Sequence, residues 1–162
     1  MLSVERKSNR LKKFDYSSAG YYFVTICVQD RACCFGDVIN DKMVINEYGK
    51  IVEKFWFEIP KHNKNASLDI FQIMPNHLHG IVVINPVGAD IIRPYGAGLS
   101  KIIGYFKQTA SKIIRRSGFI SFSWQKSFYD HIIRTGESLD KIREYIQNNP
   151  KQWELDKLNP KN

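Results

Sequence analysis

"SLDIFQIMPNHLHGIVVI", residues 67–84, decides how this chain folds. Two largely apolar runs are separated by Pro75-Asn76, a turn signal, so the stretch reads as an antiparallel hairpin. His77 and His79 open its second strand. Alternate residues of a strand share a face, with Cα atoms about 6.6 Å apart. Both imidazoles therefore point one way while Leu78 points the other way, into a core. That arrangement is half of a metal site or a hydrogen-bonded pair at a strand start. The spacing alone admits both, because an ion needs further ligands.

Working outward, "YYFVTICVQD" (21–30) is rich in aromatic and β-branched residues and reads as a buried strand. "DRACCFGDVINDKMVIN" (30–46) mixes turn residues with short apolar pairs, as a loop or small hairpin does. In "EYGKIVEKFWFEIP" (47–60) Ile51, Val52, Phe55 and Trp56 recur at helical spacing, and Pro60 is expected to close the helix. "GADIIRPYGAG" (88–98) is a connecting loop. Leu99 to Arg116 follows as a helix, apolar along Ile102, Ile103, Phe106, Ala110, Ile113 and Ile114. Gly104 inside it costs about 1 kcal/mol relative to alanine, which suggests a close packing contact there. "FYDHIIR" (128–134) reads as a strand. "ESLDKIREYIQN" (137–148) reads as a final helix stopped by Pro150. The order strand, helix, strand, strand, helix, strand, helix predicts an α+β fold of ferredoxin-like type. One domain is expected over 1–162, with a basic arm at 1–13 and a short C-terminal tail at 151–162.

Composition narrows the function. Of the 162 residues, 43% are hydrophobic and 13% aromatic, which suits one globular core rather than a disordered chain. No apolar run approaches the roughly 20 residues of a membrane span, and the basic start leads into no signal-like segment. A cytosolic protein without a membrane partner is expected. Cys27, Cys33 and Cys34 lack metal-ligand spacing such as CxxC and read as incidental thiols. Lysine and arginine exceed aspartate and glutamate by 24 to 16, a net charge of +8 that suits a polyanionic partner, nucleic acid first. Arg10, Lys12 and Lys13 of the arm, and Lys107, Lys112, Arg115 and Arg116 on the polar side of the 99–116 helix, are the candidate phosphate contacts. A merely solvated basic face is the alternative. Trp124 is either core or a platform for a DNA base.

The final helix adds candidates. Leu139, Ile142 and Ile146 form its apolar face, and Tyr145 and Asn149, four residues apart, stack along one flank of it. A phenol and an amide oxygen one turn apart can serve as nucleophile and third metal ligand. They can also be a half-buried tyrosine and an ordinary helix stop.

At this point the chain resembles a known family. "PNHLHGIVV" (75–83) is similar to the HUH motif, histidine–bulky hydrophobic–histidine, of single-tyrosine HUH transposases. "YFVTICVQDR" (22–31), "WQKSFYDHIIR" (124–134) and "EYIQNNP" (144–150) resemble further signatures of the REP-associated tyrosine transposase branch, in the same order from about Arg10 to Pro150. The resemblance implies a ferredoxin-like or RRM-like antiparallel sheet with helices packed on one face. It implies that His77 and His79 ligate Mg²⁺ or Mn²⁺, and that Tyr145 attacks a single-stranded DNA phosphate to become 5′-phosphotyrosyl-linked. Asn149 stands where the wider family often has glutamine as a third ligand, one methylene longer. The implied substrate is an imperfect palindrome folded as a DNA hairpin, met in the cytoplasm at the nucleoid. Tyr145 would act in its own subunit or across a homodimer.

With two imidazoles and an amide every ligand is neutral, so the cation keeps its full charge for the phosphate. A tyrosine at its usual pKa of about 10 is only about one part in a thousand phenolate at neutral pH. Something must activate it, and Lys141 and Arg143 are the nearby cations by sequence. Tyr129 is a competing nucleophile. His62 and His131 read as structural or solvent-facing. Rival readings are a non-catalytic DNA or RNA hairpin binder that regulates without cutting, and a metallohydrolase in which water attacks. An RRM is disfavoured by the lack of an RNP1-like run.

Overall fold

The computed structural model describes residues 14–86 and 98–162. Arg10, Lys12 and Lys13 of the expected basic arm, and nearly all of the 88–98 loop, lie outside the described residues. In chain order the elements are β1 (Gly20–Cys27), β2 (Gly36–Ile39), β3 (Lys42–Ile45), α1 (Glu47–Phe57), α2 (Ile59–His62), β4 (Ala66–Met74), β5 (His77–Ile84), α3 (Leu99–Arg116), β6 (Tyr129–Ile133) and α4 (Gly136–Asn148). A 3-10 helix, Asn149–Leu155, continues from α4. No helix among the described residues is long and apolar enough to cross a membrane.

Four strands form one antiparallel sheet in the order β4-β5-β1-β6. With the β2–β3 hairpin set aside, this is the succession and strand order of a ferredoxin-like α+β fold. That hairpin turns at Asn40 and Asp41, both at positive φ (49° and 61°), as a two-residue turn between twisted strands requires.

Alternation along β1 and β5 divides the sheet. Tyr22, Val24, Ile26, Leu78 and Val82 are fully buried and pack with Trp56 of α1 and with Ile102, Ile103 and Phe106 of α3. On the other face Phe23, Ile81 and Ile133 pack beneath Ile146 of α4, flanked by Leu139 and Ile142. The expected apolar face of the last helix is thus the one that docks. α1 and α3 pack on one face of the sheet, as the resemblance implies, while α4 lies across the other because its Ile146 side docks on Phe23, Ile81 and Ile133.

Three local expectations change. Pro60 does not close α1, which ends at Phe57; it sits in the first turn of α2, where its missing N–H is harmless. Gly104 has open space where a Cβ would stand, so no close packing contact explains it. Pro150 ends α4, but Asn149 keeps helical angles (φ −57°, ψ −40°) and the chain tightens into the 3-10 helix. Asn149 therefore stays one turn past Tyr145.

Candidate functional site

The turn between β4 and β5 sets up the first histidine. Asn76 donates through Nδ2 to the carbonyls of Leu158 (2.7 Å) and Arg31 (3.1 Å). Its Oδ1 is thereby turned to His77 Nδ1, 2.7 Å away. Nδ1–H must donate to that oxygen, which leaves the Nε2 lone pair of His77 facing into the site. His79 is held through Nδ1 by Thr25 Oγ1 at 2.8 Å, across the β1–β5 ladder. The two Nε2 atoms converge to 3.0 Å. Two lone pairs at that separation repel unless a proton or a cation lies between them. An octahedral cation with ligands at about 2.1 Å sets neighbouring ligand atoms roughly 3.0 Å apart. The donor set fits Mg²⁺ or Mn²⁺.

α4 brings the tyrosine. Tyr145 Oη lies 3.4 Å from His79 Nε2, and its ring packs edge-on against Phe23. Asn149 is 97% buried beneath it, with an Oδ1 that has no hydrogen-bond partner among the described residues. Beyond Pro150 the chain folds back as a strap that carries Asp156 to the same point. The ligand atoms of His77, His79 and Asp156 all lie within 4.8 Å of one another. Asp156 Oδ1 accepts from Leu158 N at 2.8 Å, while Oδ2 is buried, without a hydrogen-bond partner among the described residues, and 3.7 Å from His77 Nε2. His79, Tyr145, Asn149 and Asp156 border a cavity of about 580 Å³ that also takes in Thr25, Cys27, Tyr129 and Gln152.

Burial sets the charges. It holds His77, next to His79, well below the ordinary imidazole range and brings His79 to about 4, so both rings are neutral at neutral pH, as ligands must be. Tyr145 is pushed up, first by burial and then by the Asp156 charge, with the Asn149 amide pulling the other way. Neither cation near it in sequence is free to help. Lys141 pairs with Glu137 at 2.6 Å, and Arg143 pairs with Asp69 at 2.6 Å and Asp140 at 3.2 Å.

His77, His79, Tyr145 and Asn149 are therefore brought together. Tyr129 lines the same cavity with its ring against Phe23, and Tyr145 is the one that reaches His79. The cations of α3 are not brought to the histidines, because α3 covers the other face. Lys107 spends its ammonium on the carbonyls of Gln125 (2.6 Å) and Lys126 (3.2 Å), and Arg115 Nε donates to Phe122 O at 2.8 Å. Lys112 and Arg116 are exposed. Trp124 is core, packed among Phe35, Phe106 and Phe122. The His62 ring lies tilted against that of Tyr105, and His131 is exposed. The three cysteines are free thiols, Cys34 pushed up by burial to about 12. Sequence reasoning missed Asp156, whose stretch has neither helical nor strand period; the only signal was an acid a few residues past Pro150.

Comparison with known proteins agrees with this architecture. The family model for IS200-like transposases matches residues 16–149. A Haemophilus influenzae protein of uncharacterized function is 40% identical over 94% of this chain and 92% of its own length. A second Haemophilus influenzae protein, provisionally assigned as a REP-associated tyrosine transposase, is 28% identical over 84% of this chain and 73% of its own. Among solved structures, a REP-associated tyrosine transposase bound to a REP hairpin superposes with a TM-score of 0.63 at 18% identity, covering 91% of this chain and 76% of that one. A provisionally assigned transposase from Deinococcus radiodurans gives 0.51 at 12% identity, over 86% and 97%. The resemblance carried by the histidine, tyrosine and "WQKSFYDHIIR" motifs points to the same group, and the chain belongs to the IS200-like transposase family.

Proposed function

We propose that this protein is a metal-dependent single-strand DNA endonuclease and strand transferase that acts at DNA hairpins through Tyr145. The observation that carries the reading is a convergence: Tyr145 Oη is 3.4 Å from His79 Nε2, which is 3.0 Å from His77 Nε2. His77 and His79, with the unpartnered Oδ1 of Asn149, would hold Mg²⁺ or Mn²⁺. Bound there, the cation supplies positive charge for the scissile phosphate and the departing 3′-oxygen.

The residues of this chain do the rest. Tyr145 Oη attacks phosphorus, the P–O3′ bond breaks, and the phenolic proton ends on the released 3′-OH or on solvent. The product is a 5′-phosphotyrosine, whose ester bond preserves the energy of the bond it replaced. A 3′-OH from another end can reverse the step, which makes cleavage into strand transfer without a nucleotide cofactor. Thr25 and Asn76 hold the two imidazoles in orientation, and Phe23 braces the tyrosine ring. Lys112, Arg115 and Arg116, together with Arg10, Lys12 and Lys13, offer charge to phosphates away from the reacting one. Lys107, engaged with its own chain, offers less. The similarity to a transposase bound to a REP hairpin supports a hairpin substrate here, and so a location at the nucleoid.

The test is to mix the protein, Mn²⁺ and a labelled oligonucleotide carrying the hairpin that flanks its gene, then denature. A protein–DNA adduct lost with Tyr145→Phe and with EDTA is the expected result. Cutting that survives Tyr145→Phe means water is the nucleophile, and tight binding with no cutting means a regulatory binder.

A further inference from the structure

The chain beyond Pro150 turns back on the site and is fastened there. Asn76 Nδ2 holds Leu158 O at 2.7 Å, and Arg31 Nη1 holds Lys157 O at 3.0 Å. Asn159 Nδ2 donates to Trp153 O at 3.0 Å, and the Trp153 ring lies 6.0 Å from that of His77. The strap is thus positioned by its own contacts. One side chain, Asn76, fixes both the tautomer of His77 and the place of Leu158.

Within this strap Asp156 is oriented like a ligand. Its Oδ1 is used by Leu158 N, and the remaining oxygen is buried and faces the His77 lone pair at 3.7 Å. A buried carboxylate oxygen set against an imidazole lone pair, with no donor between them, is a costly arrangement unless a cation joins them. We propose that Asp156 is an anionic ligand of the cation held by His77 and His79, which makes the strap from Asn149 to Asn159 part of the cation site. This rests on reading the histidine pair as a cation site and adds to it.

Two consequences separate this site from the all-neutral set expected from the sequence. One carboxylate lowers the net charge of a divalent site from +2 to +1. The strap also becomes linked to the ion, so whatever binds the cation also orders residues 150–159, and whatever loosens the strap weakens the cation. Imidazole and carboxylate ligands together favour Mn²⁺ over Mg²⁺.

The experiment is a calorimetric Mn²⁺ titration of the full chain, as wild type, Asp156→Asn and His77→Ala, with amide hydrogen exchange over 150–159 as second readout. Asparagine keeps the shape of Asp156 and can still accept from Leu158 N, so the strap's fold is retained. Asp156→Asn is expected to weaken Mn²⁺ by about tenfold or more. Mn²⁺ is expected to slow exchange over 150–159 in wild type and to do so far less in the variant. Mn²⁺ affinity within twofold of wild type in Asp156→Asn, with binding lost in His77→Ala, overturns the proposal and leaves the histidine site standing. Wild type that binds no Mn²⁺ overturns both. Retained affinity with a lost DNA adduct makes Asp156 a partner of Tyr145 rather than of the ion, and also overturns it.

Discussion

The two faces of the sheet are built from the same strands and do opposite work. Under α1 and α3 the strands present Tyr22, Val24, Ile26, Leu78 and Val82, all fully buried and packed to the point that a Cβ on Gly80 would stand 2.4 Å from Trp56 Cζ2. Under α4 the same strands present Phe23, Thr25, His77, His79 and Ile81, where a small apolar cluster gives way to neutral imidazoles and unpartnered oxygens. Burying polar groups without full hydrogen bonding costs stability, so the second face depends on the first. The alternation in "HLHGIVVI" lets one strand serve both.

The largest effect expected from this division is a loss of activity without a loss of fold. Tyr145 is 44% exposed and its hydroxyl contributes little packing. Tyr145→Phe should reduce phosphotyrosyl adduct by at least about 10³-fold while urea denaturation shifts by no more than about 0.5 kcal/mol. A variant that unfolds would place Tyr145 with the core. The complementary change is one residue from each histidine. Leu78→Ala removes a fully buried side chain from the α1–α3 face and should cost about 2–5 kcal/mol. The protein that remains folded should still form adduct, since Leu78 points away from the imidazoles. Adduct lost in proportion to His79→Ala would show that the faces are not separable.

How much of this was legible depended on periodicity. The β4–β5 hairpin, the docking face of α4 and the span of α3 follow from period-2 and helical patterns, and those elements stand where the patterns put them. So do Tyr145 and Asn149, because an i, i+4 pair shares a helix flank wherever the helix lies. What periodicity does not encode is which face of a sheet a helix covers. The basic side of α3 was therefore legible as a side, but not its separation from the histidines by the whole sheet. Asp156 was illegible for a related reason: it lies in a 3-10 turn and strap held by Asn76, Arg31 and Asn159, contacts distant in sequence. Lys107 read as a free cation because nothing local reveals the carbonyls of Gln125 and Lys126.

The faces should also differ in their response to acid. In the metal-free protein His79 is brought to about 4 from an ordinary 6.5, and His77 moves the same way. Between those values the unfolded chain binds more protons than the folded one, so stability falls as pH drops from 6.5 toward 4 and is steady, for these groups, above 6.5. For His79 alone the loss is on the order of 3 kcal/mol across the window. Urea midpoints at pH 7, 6 and 5 measure it, with His79→Ala as the reference that removes its share of the slope. Equal slopes in the two proteins would mean that His79 binds protons alike in the folded and unfolded chains, its titration unmoved by burial. Mn²⁺ should raise the wild-type stability by a similar amount at all three pH values, because folded imidazoles that are already neutral have no proton for the cation to displace.

The smallest effect lies on the outer side of the core face. Gly104 occupies an exposed position inside α3, and nothing stands within 4 Å of where its Cβ would be. Its backbone is already helical, so alanine meets no strain and the unfolded chain loses conformational freedom. Gly104→Ala should therefore stabilise the protein by about 0.5–1 kcal/mol, a rise in thermal midpoint of roughly 1–4 °C for a chain of this size. A fall in the midpoint would mean that the face of α3 around Gly104 is not open in the folded protein but packs against a second copy of the chain. Because α3 lies on the face away from the histidines, that outcome would place a contact between chains on the side of the sheet opposite the imidazoles.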